Sequence, residues 1–522
     1  MSRNKKILLI SAFFLLLMQM VTLDIGFILG AGGGNLAEGW FSDIAYNLNW
    51  EFTGRMAEDI PYGAGWSTGI GKLFFLIHNV FYKIFGVGLF QARLVSFASG
   101  VIMLVLLYVW VKKYISQDAA IFSMLLMASS PLFYTSIPSA KQDIVHCLFA
   151  FSAFYFISSA ILTRKGVYYL LAGFIAALSV DISYRGIEIV IAVYLFHCIF
   201  FEREGFLKRS SLLLSGSFIA FIYWYSINIL PIGIDAFLGY HFASAAGDGG
   251  DYNFTVLLSE FYRFLNIFSG RNKYVFIFEL FYLVFLAVLF YKNRGKHKGI
   301  FKVIGVWVLI NFMILTVIER TTERIYLLMY YTFLFIFSGI GLSELFEQRR
   351  KIAYAILSLI LLFAFTFQGA IFVKYTYHTA IKKDYDIKGY YDKLRASVDI
   401  NKPIIGTTNH WYAFPDARYY GGQFYLSRVV TILKELKPSQ EYVSDYERAE
   451  ALLKVFEKRG IEYVIADEYF KPTLTKYFVN SELPSKNFKL VNTITDMFLG
   501  KGADSKKRPY KTEIYKVISY EP

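Results

Sequence analysis

Apolar runs of about 20 residues recur along this chain, and no other feature limits its fold so tightly. A bilayer core about 30 Å thick is crossed by roughly 20 helical residues at 1.5 Å each, so a run of that length reads as a membrane span. Eleven runs qualify, near 7–29, 88–111, 118–137, 142–163, 167–186, 187–202, 210–232, 274–291, 299–318, 323–343 and 352–374. The sixth is short, and its boundary with the fifth is open. Hydrophobic residues make up 56% of the 522, and mean hydropathy is +0.43, which excludes an ordinary soluble globule. The expected fold is a polytopic α-helical membrane protein of about 11 spans, within roughly 10–13. Arg3, Lys5 and Lys6 precede the first run and no small-residue cleavage site follows it, so it is expected to be retained as a span.

A further run, Ile70–Phe85, is 16 residues long and contains Lys72, His78 and Lys83, which fits an interfacial or re-entrant helix. If it does not cross, alternate span ends carry 18 Lys and Arg, among them Lys112, Lys113, Arg164, Lys165 and Arg349–Lys351, against 5 Asp and Glu. That is the positive-inside pattern, with the N-terminus in the cytoplasm. It absorbs nearly all of the net charge of +14, so the basic balance reflects topology and a nucleic-acid partner is excluded. The two cysteines, Cys147 and Cys198, lie in different apolar runs and form no disulfide framework.

An odd number of crossings puts the C-terminus outside. From about Lys374 charges become frequent and apolar runs shorten to strand length: Ile404–Thr408, Tyr463–Asp467, Phe488–Ile494 and Thr512–Ile518. Ser444–Arg459 has helical spacing, with Ala449, Leu452, Leu453 and Phe456 on one face. The expected division is a membrane domain at 1–374, with its first outer loop at 30–87, and an extracytoplasmic α/β domain at 375–522. The outer loop Gly233–Lys273 contains ASAAGDGGD at 243–251, a candidate lid.

The first outer loop carries the carboxylates Glu38, Asp43, Glu51, Glu58 and Asp59 among Trp40, Phe41, Tyr46, Trp50, Phe52 and Tyr62. Amphipathic rings settle at the membrane–water interface, so such a loop holds a proton acceptor just above the bilayer. Asp43 stands out because it is embedded in FSDIAYNLNW. By topology, Arg93, the group Lys141, Asp143 and His146, the group Asp181, Arg185 and Glu188, and the turn Glu319–Arg324 all fall at this same face. Charge at the membrane edge is costly unless paired or hydrated, which makes these groups functional candidates. Bland readings stand beside this one: a self-neutralising turn at 319–324, an i,i+4 pair of Asp181 with Arg185, and a packing or capping role for His146. No glycine loop followed by Lys-Ser/Thr, no HExxH and no GxSxG is present.

Several stretches, in order, resemble the GT-C class of membrane glycosyltransferases, and within it the protein O-mannosyltransferases and lipid A aminoarabinose transferases. SDIAYNLNWEFTG (Ser42–Gly54) is similar to the first-loop acidic motif. Ile60–Ser96 is similar to the loop, interfacial helix, "FG" turn and "ARL" entry to the second span. Ser129–Phe151 resembles the hairpin whose fourth span opens with an Asp, and SYRGIEIVI (Ser183–Ile191) has Arg185 where the family often has a Lys. The resemblance covers roughly residues 1–200.

The resemblance implies inverting transfer of a sugar from a polyprenyl phosphate donor to an acceptor hydroxyl at the outer leaflet. Protein, lipid and glycan acceptors all remain open. Asp43 is the expected base, and Asp143 the second catalytic carboxylate, orienting a cation or sharing a divalent metal ion with the first loop. Arg185, Arg324, Arg93 and Lys141 are expected to meet the donor phosphate, with Glu38, Glu51 and His146 as further candidates. No cofactor is fixed by the sequence; a divalent metal ion is left open. The rival classes are a flippase or transporter of lipid-linked sugars, marked by broken helices near mid-membrane, and a non-catalytic polymer-assembly subunit.

Overall fold

The computed structural model describes residues 3–23, 37–48, 71–137, 140, 142–183, 185–200, 202–231, 233–234, 273–292, 298–318, 327–383, 385–421, 445–468, 470–478, 483–496 and 510–521. Its helices in the first half are α1 (Arg3–Val21), α2 (Ala37–Tyr46), α3 (Lys72–Phe85), α4 (Leu89–Tyr114), α5 (Gln117–Ser129), α6 (Pro131–Ser136), α7 (Gln142–Thr163), α8 (Gly166–Ser179), α9 (Gly186–Ile199) and α10 (Phe206–Asn228). Then come α11 (Lys273–Lys292), α12 (Lys298–Ile318), α13 (Leu327–Gln348), α14 (Arg350–Thr376), α15 (Ile387–Ala396), α16 (Asp445–Arg459) and α17 (Phe470–Thr475). The chain divides into two compact units. One holds Met1–Leu23, Thr68–Phe74 and Arg93–Lys374; the other holds Asp24–Ser67, Phe75–Ala92 and Tyr375–Pro522. The first-loop helix α2 therefore groups with the residues after Tyr375, a partition that the composition shift near Lys374 does not mark.

The first unit is a helical bundle. Among the described residues five helices are long and apolar enough to cross a membrane, α4, α7, α10, α13 and α14 with its continuation to Ile381. Its interior is aromatic: Phe154 packs against Trp110, Trp307 and Phe333, and the Trp110 indole donates to Ser158 Oγ at 2.8 Å. Such rings bury large apolar area, and the indole N–H needs a partner once it leaves water. Gln19 and Gln368 both donate to the Ala128 carbonyl, at 3.2 Å each, joining α1, α5 and α14 through buried amides. The outward face of α10 shows Leu214, Phe218, Ile219 and Ile222, an apolar stripe suited to lipid.

Three expected spans differ in detail. The run at 118–137 is not one helix; it breaks at Ser130 into α5 and α6, because Pro131 has no N–H and clashes with the preceding turn. Ser130 Oγ accepts the Phe133 amide at 3.1 Å, and the buried Glu279 carboxylate accepts that of Leu132 at 3.4 Å. The fifth and sixth runs form separate helices, α8 ending at Ser179 and α9 beginning at Gly186. Asp181 and Arg185 are thus not one helical turn apart, and Asp181 finds other partners. α3 spans about 21 Å, short of a crossing. It buries Phe74, Phe75, His78 and Tyr82, while Val80 and Ile84 are exposed on another face. Those two faces fit a helix lying on a membrane surface.

In the second unit, the described residues after Tyr385 form a five-stranded sheet in the order β2-β1-β3-β5-β4. The strands are β1 (Ile404–Gly406), β2 (Tyr419–Gly421), β3 (Tyr463–Ala466), β4 (Phe488–Asp496) and β5 (Tyr510–Val517). β1 pairs in parallel with β2 and β3; β5 runs antiparallel to β3 and β4. α16 lays Leu452, Leu453 and Phe456 on Ile405 and Val464, the stripe its spacing predicts. It ends at Gly460 with φ +62°, where the Ile461 amide reaches Phe456 O at 2.9 Å and the Gly460 amide reaches Glu457 O at 3.0 Å. That left-handed position favours glycine, which closes the helix and turns the buried Ile461 into the core.

Candidate active site

In the first unit, α7 and α9 present matching charges near their N-terminal ends. Arg185 Nη1 donates to Asp143 Oδ1 at 3.2 Å, and one turn further along both helices His146 Nε2 lies 3.1 Å from Glu188 Oε1. Both pairs span 42 residues, so the two helices run in the same direction in register, with α8 returning between them. All four side chains are buried or nearly so, and the largest relative exposure is 9%, at Arg185. Removing one partner of such a pair leaves an uncompensated charge, which fixes the rungs energetically. Helix N-termini carry partial positive charge, so Arg185 adds a full cation where two such ends gather.

Beside this ladder, Asp181 is fully buried and accepts from the Lys72 amide at 3.2 Å, the Leu73 amide at 3.0 Å and Asn228 Nδ2 at 2.8 Å. It therefore caps the start of α3 from a distant part of the chain, satisfying amides that have no partner within the helix. Gly71 makes this approach feasible, since a Cβ there would lie 1.7 Å from the Asp181 carbonyl oxygen. Burial pushes the Asp181 carboxyl up to about 6 despite those hydrogen bonds. Arg93 is fully buried, and its Nη1 donates to Leu23 O at 2.8 Å, tying down the chain just after α1.

In the second unit, Glu38 and Asp43 on α2 are both fully buried. Asp43 Oδ1 accepts from Asn47 Nδ2 at 2.8 Å. On the same helix Ser42 Oγ lies 2.8 Å from the Tyr412 hydroxyl and accepts from Tyr82 at 2.7 Å. Burial raises both tyrosine hydroxyls, and the Glu38 carboxylate nearby adds to the rise, so both remain protonated donors.

Glu51, Lys141, Arg324, the turn 319–324 and the candidate lid 243–251 lie outside the described residues. Among the described residues no three His, Cys, Asp or Glu gather as a metal site. Residues that sequence reasoning passed over include Glu279, a lone carboxyl in an apolar run, and Asn409 and Tyr412, which sit in a stretch without a motif. Only the buried position of these residues singles them out.

Residues 72–227 match the family described as dolichyl-phosphate-mannose-protein mannosyltransferase, a likeness covering under half of the chain. No curated protein matches the sequence. Among solved structures, ArnT from Cupriavidus metallidurans in the apo state aligns with a TM-score of 0.61 at 12% identity, covering 99% of this chain and 98% of that one. The same protein bound to undecaprenyl phosphate aligns at 0.58 and 11% identity over 100% of both chains. The Archaeoglobus fulgidus oligosaccharyltransferase in complex with Zn and sulfate aligns at 0.53 and 14% identity, covering 92% of this chain and 71% of that one. At such identities the likeness is one of fold, and it agrees with the helical bundle and small sheet described above. In fold, this chain is a helical membrane protein with a small C-terminal sheet, similar to the ArnT and oligosaccharyltransferase structures.

Proposed function

We propose that this chain is an inverting membrane glycosyltransferase that moves a sugar from a polyprenyl phosphate to an acceptor hydroxyl at the outer leaflet. The N-terminus is then cytoplasmic and the α/β domain extracytoplasmic, as the charge pattern of the loops requires. The observation that carries the reading is the buried Asp143–Arg185 pair at the N-terminal ends of α7 and α9, in a chain of GT-C fold. A guanidinium held in place by a carboxylate and backed by helix dipoles is a preorganised receptor for phosphate oxygens. Further support is that ArnT and the Archaeoglobus fulgidus oligosaccharyltransferase, which share the fold, have been solved with undecaprenyl phosphate and with a dolichol-phosphate respectively.

Asp43 takes the acceptor's proton as the hydroxyl oxygen attacks the anomeric carbon. The bond from that carbon to the phosphate oxygen breaks with its electron pair, and the polyprenyl phosphate leaves with the added negative charge. Arg185 meets that charge as it grows, and Asp143 keeps the guanidinium oriented. The sugar passes through an oxocarbenium-like state, as in glycoside hydrolysis. Transfer of labelled sugar from a polyprenyl-phosphate donor by purified Asp43→Asn tests the assignment: a loss of about 10²–10⁴-fold is expected, with expression and thermal stability retained. Near-normal transfer would remove Asp43 from the role of base.

A further inference from the structure

The α/β domain has a ligand edge, and the first-loop helix occupies it. β1, β2 and β3 are parallel, and the strand order reverses between β1 and β3, the kind of point where open sheets hold ligands outside their strand ends. At this edge Thr407 follows β1 and Asp467 follows β3, and Thr407 Oγ1 donates to Asp467 Oδ2 at 2.6 Å. The fully buried Asp467 also accepts from the Tyr510 hydroxyl and the Phe470 amide, each at 2.7 Å. Tyr390 bridges His410 Nε2 and Thr512 Oγ1, at 2.9 and 2.8 Å. This network fixes the 3₁₀ turn Thr408–Ala413 beyond β1.

α2 rests on that turn. Its Gly39 amide donates to Asn409 Oδ1 at 3.1 Å, and a Cβ at Gly39 would lie 2.0 Å from Thr408 O. Ser42 meets Tyr412, while Tyr46 donates to Asp416 at 2.9 Å and stands edge-on to Trp411 at 5.9 Å. Gly39, Ser42 and Tyr46 form one helical stripe, and Asp43 follows directly on Ser42. We propose that the α/β domain uses the carboxyl edge of its parallel strands as a seat for α2, and that Asn409 and Tyr412 are positioning residues that set the aim of Asp43. This rests on Asp43 acting as the base. A base displaced by about 1 Å loses roughly 10²-fold in rate, which is what a loosened seat produces.

The test uses the purified full-length chain with a labelled lipid-linked donor. Asn409→Ala, Tyr412→Phe and Gly39→Ala are each assayed for kcat, donor KM and Tm beside Leu452→Ala, a control in the domain's core. The three seat variants are expected to lower kcat by about 10- to 100-fold with donor KM within about 2-fold. Leu452→Ala is expected to lower Tm while leaving the kcat of folded protein unchanged. Ser42→Ala with Tyr412→Phe should lose no more kcat than Ser42→Ala alone, because the bond Tyr412→Phe removes is already absent once Ser42 loses its hydroxyl. If Asp43→Asn is inactive but the seat variants keep wild-type kcat, the seat is only structural and the proposal fails while the base assignment stands. If kcat falls only in proportion to Tm, with the control included, the proposal is likewise overturned. If Asp43→Asn is active, the base assignment itself fails, and the positioning role with it.

Discussion

At the scale of single residues, the buried charges at the ends of α7 and α9 are held by particular partners. Arg185 and Asp143 hold each other at 3.2 Å with little water nearby, so the two substitutions are not equivalent to trimming a surface pair. Arg185→Ala is expected to destabilise the fold by about 3–5 kcal/mol, since Asp143 is left buried and uncompensated. Arg185→Lys keeps the charge but loses the planar fork, and is expected to raise donor KM more than acceptor KM. Steady-state kinetics with each substrate varied in turn checks this, and the reverse pattern would give Arg185 another role. Asp181 supplies a pH signature. Its folded-state carboxyl is raised to about 6 from the usual 3.8, so the folded chain binds a proton more readily than the unfolded one between those values. The cost of burying the charge, on the order of 3 kcal/mol, is then present above pH 6 and relieved as pH falls towards 4. Melting curves of wild type and Asp181→Asn from pH 7.5 to 4.5 should show wild type gaining relative to the variant as pH falls. A difference that stays constant with pH would mean the carboxyl titrates normally.

Among elements, α8 and α10 cross at close range. A Cβ on Gly173 would lie 2.0 Å from Leu213 O, and one on Gly216 would lie 2.0 Å from Leu170 O. Ser217 Oγ adds a bond to Gly173 O at 3.1 Å. Small residues let helix backbones approach where no water-driven collapse is available within the membrane. Gly216→Val is therefore expected to lower Tm sharply and reduce monodisperse protein in size-exclusion chromatography. Gly369→Ala in α14, where a Cβ meets nothing within 4 Å, is expected to be neutral or stabilising by up to about 1 kcal/mol. Equal losses in both variants would rule out the close crossing as the cause. The elements also show where a sequence pattern serves well and where it does not. The stripe of α16 and the strands β3, β4 and β5 follow from periodicity, whereas β2 is three residues long and gives no period to read. The break at Ser130 follows from Pro131, but its repair by Glu279 depends on a helix 147 residues away.

For the molecule as a whole, the fold admits both the transferase and a carrier of lipid-linked sugars. The two differ in bond breaking. Incubation of the purified chain with donor and acceptor extract is expected to release free polyprenyl phosphate, detected by mass spectrometry, and the release should vanish in Asp43→Asn. Translocation of intact donor across proteoliposomes without release would favour the carrier.

Length and apolarity of the runs marked this chain as one that enters a membrane, and the change in composition near Lys374 marked where the strands of a small sheet follow. These are local properties, legible because a bilayer and a strand each demand a fixed pattern over consecutive residues. Pairing is not local. That Arg185 answers Asp143 and not Asp181, that Asp181 caps α3, and that α2 lies on the turn after β1 were decided by tertiary structure alone. A buried charge or amide takes whichever partner packing brings within 3 Å or so, and sequence separation carries no information about that distance.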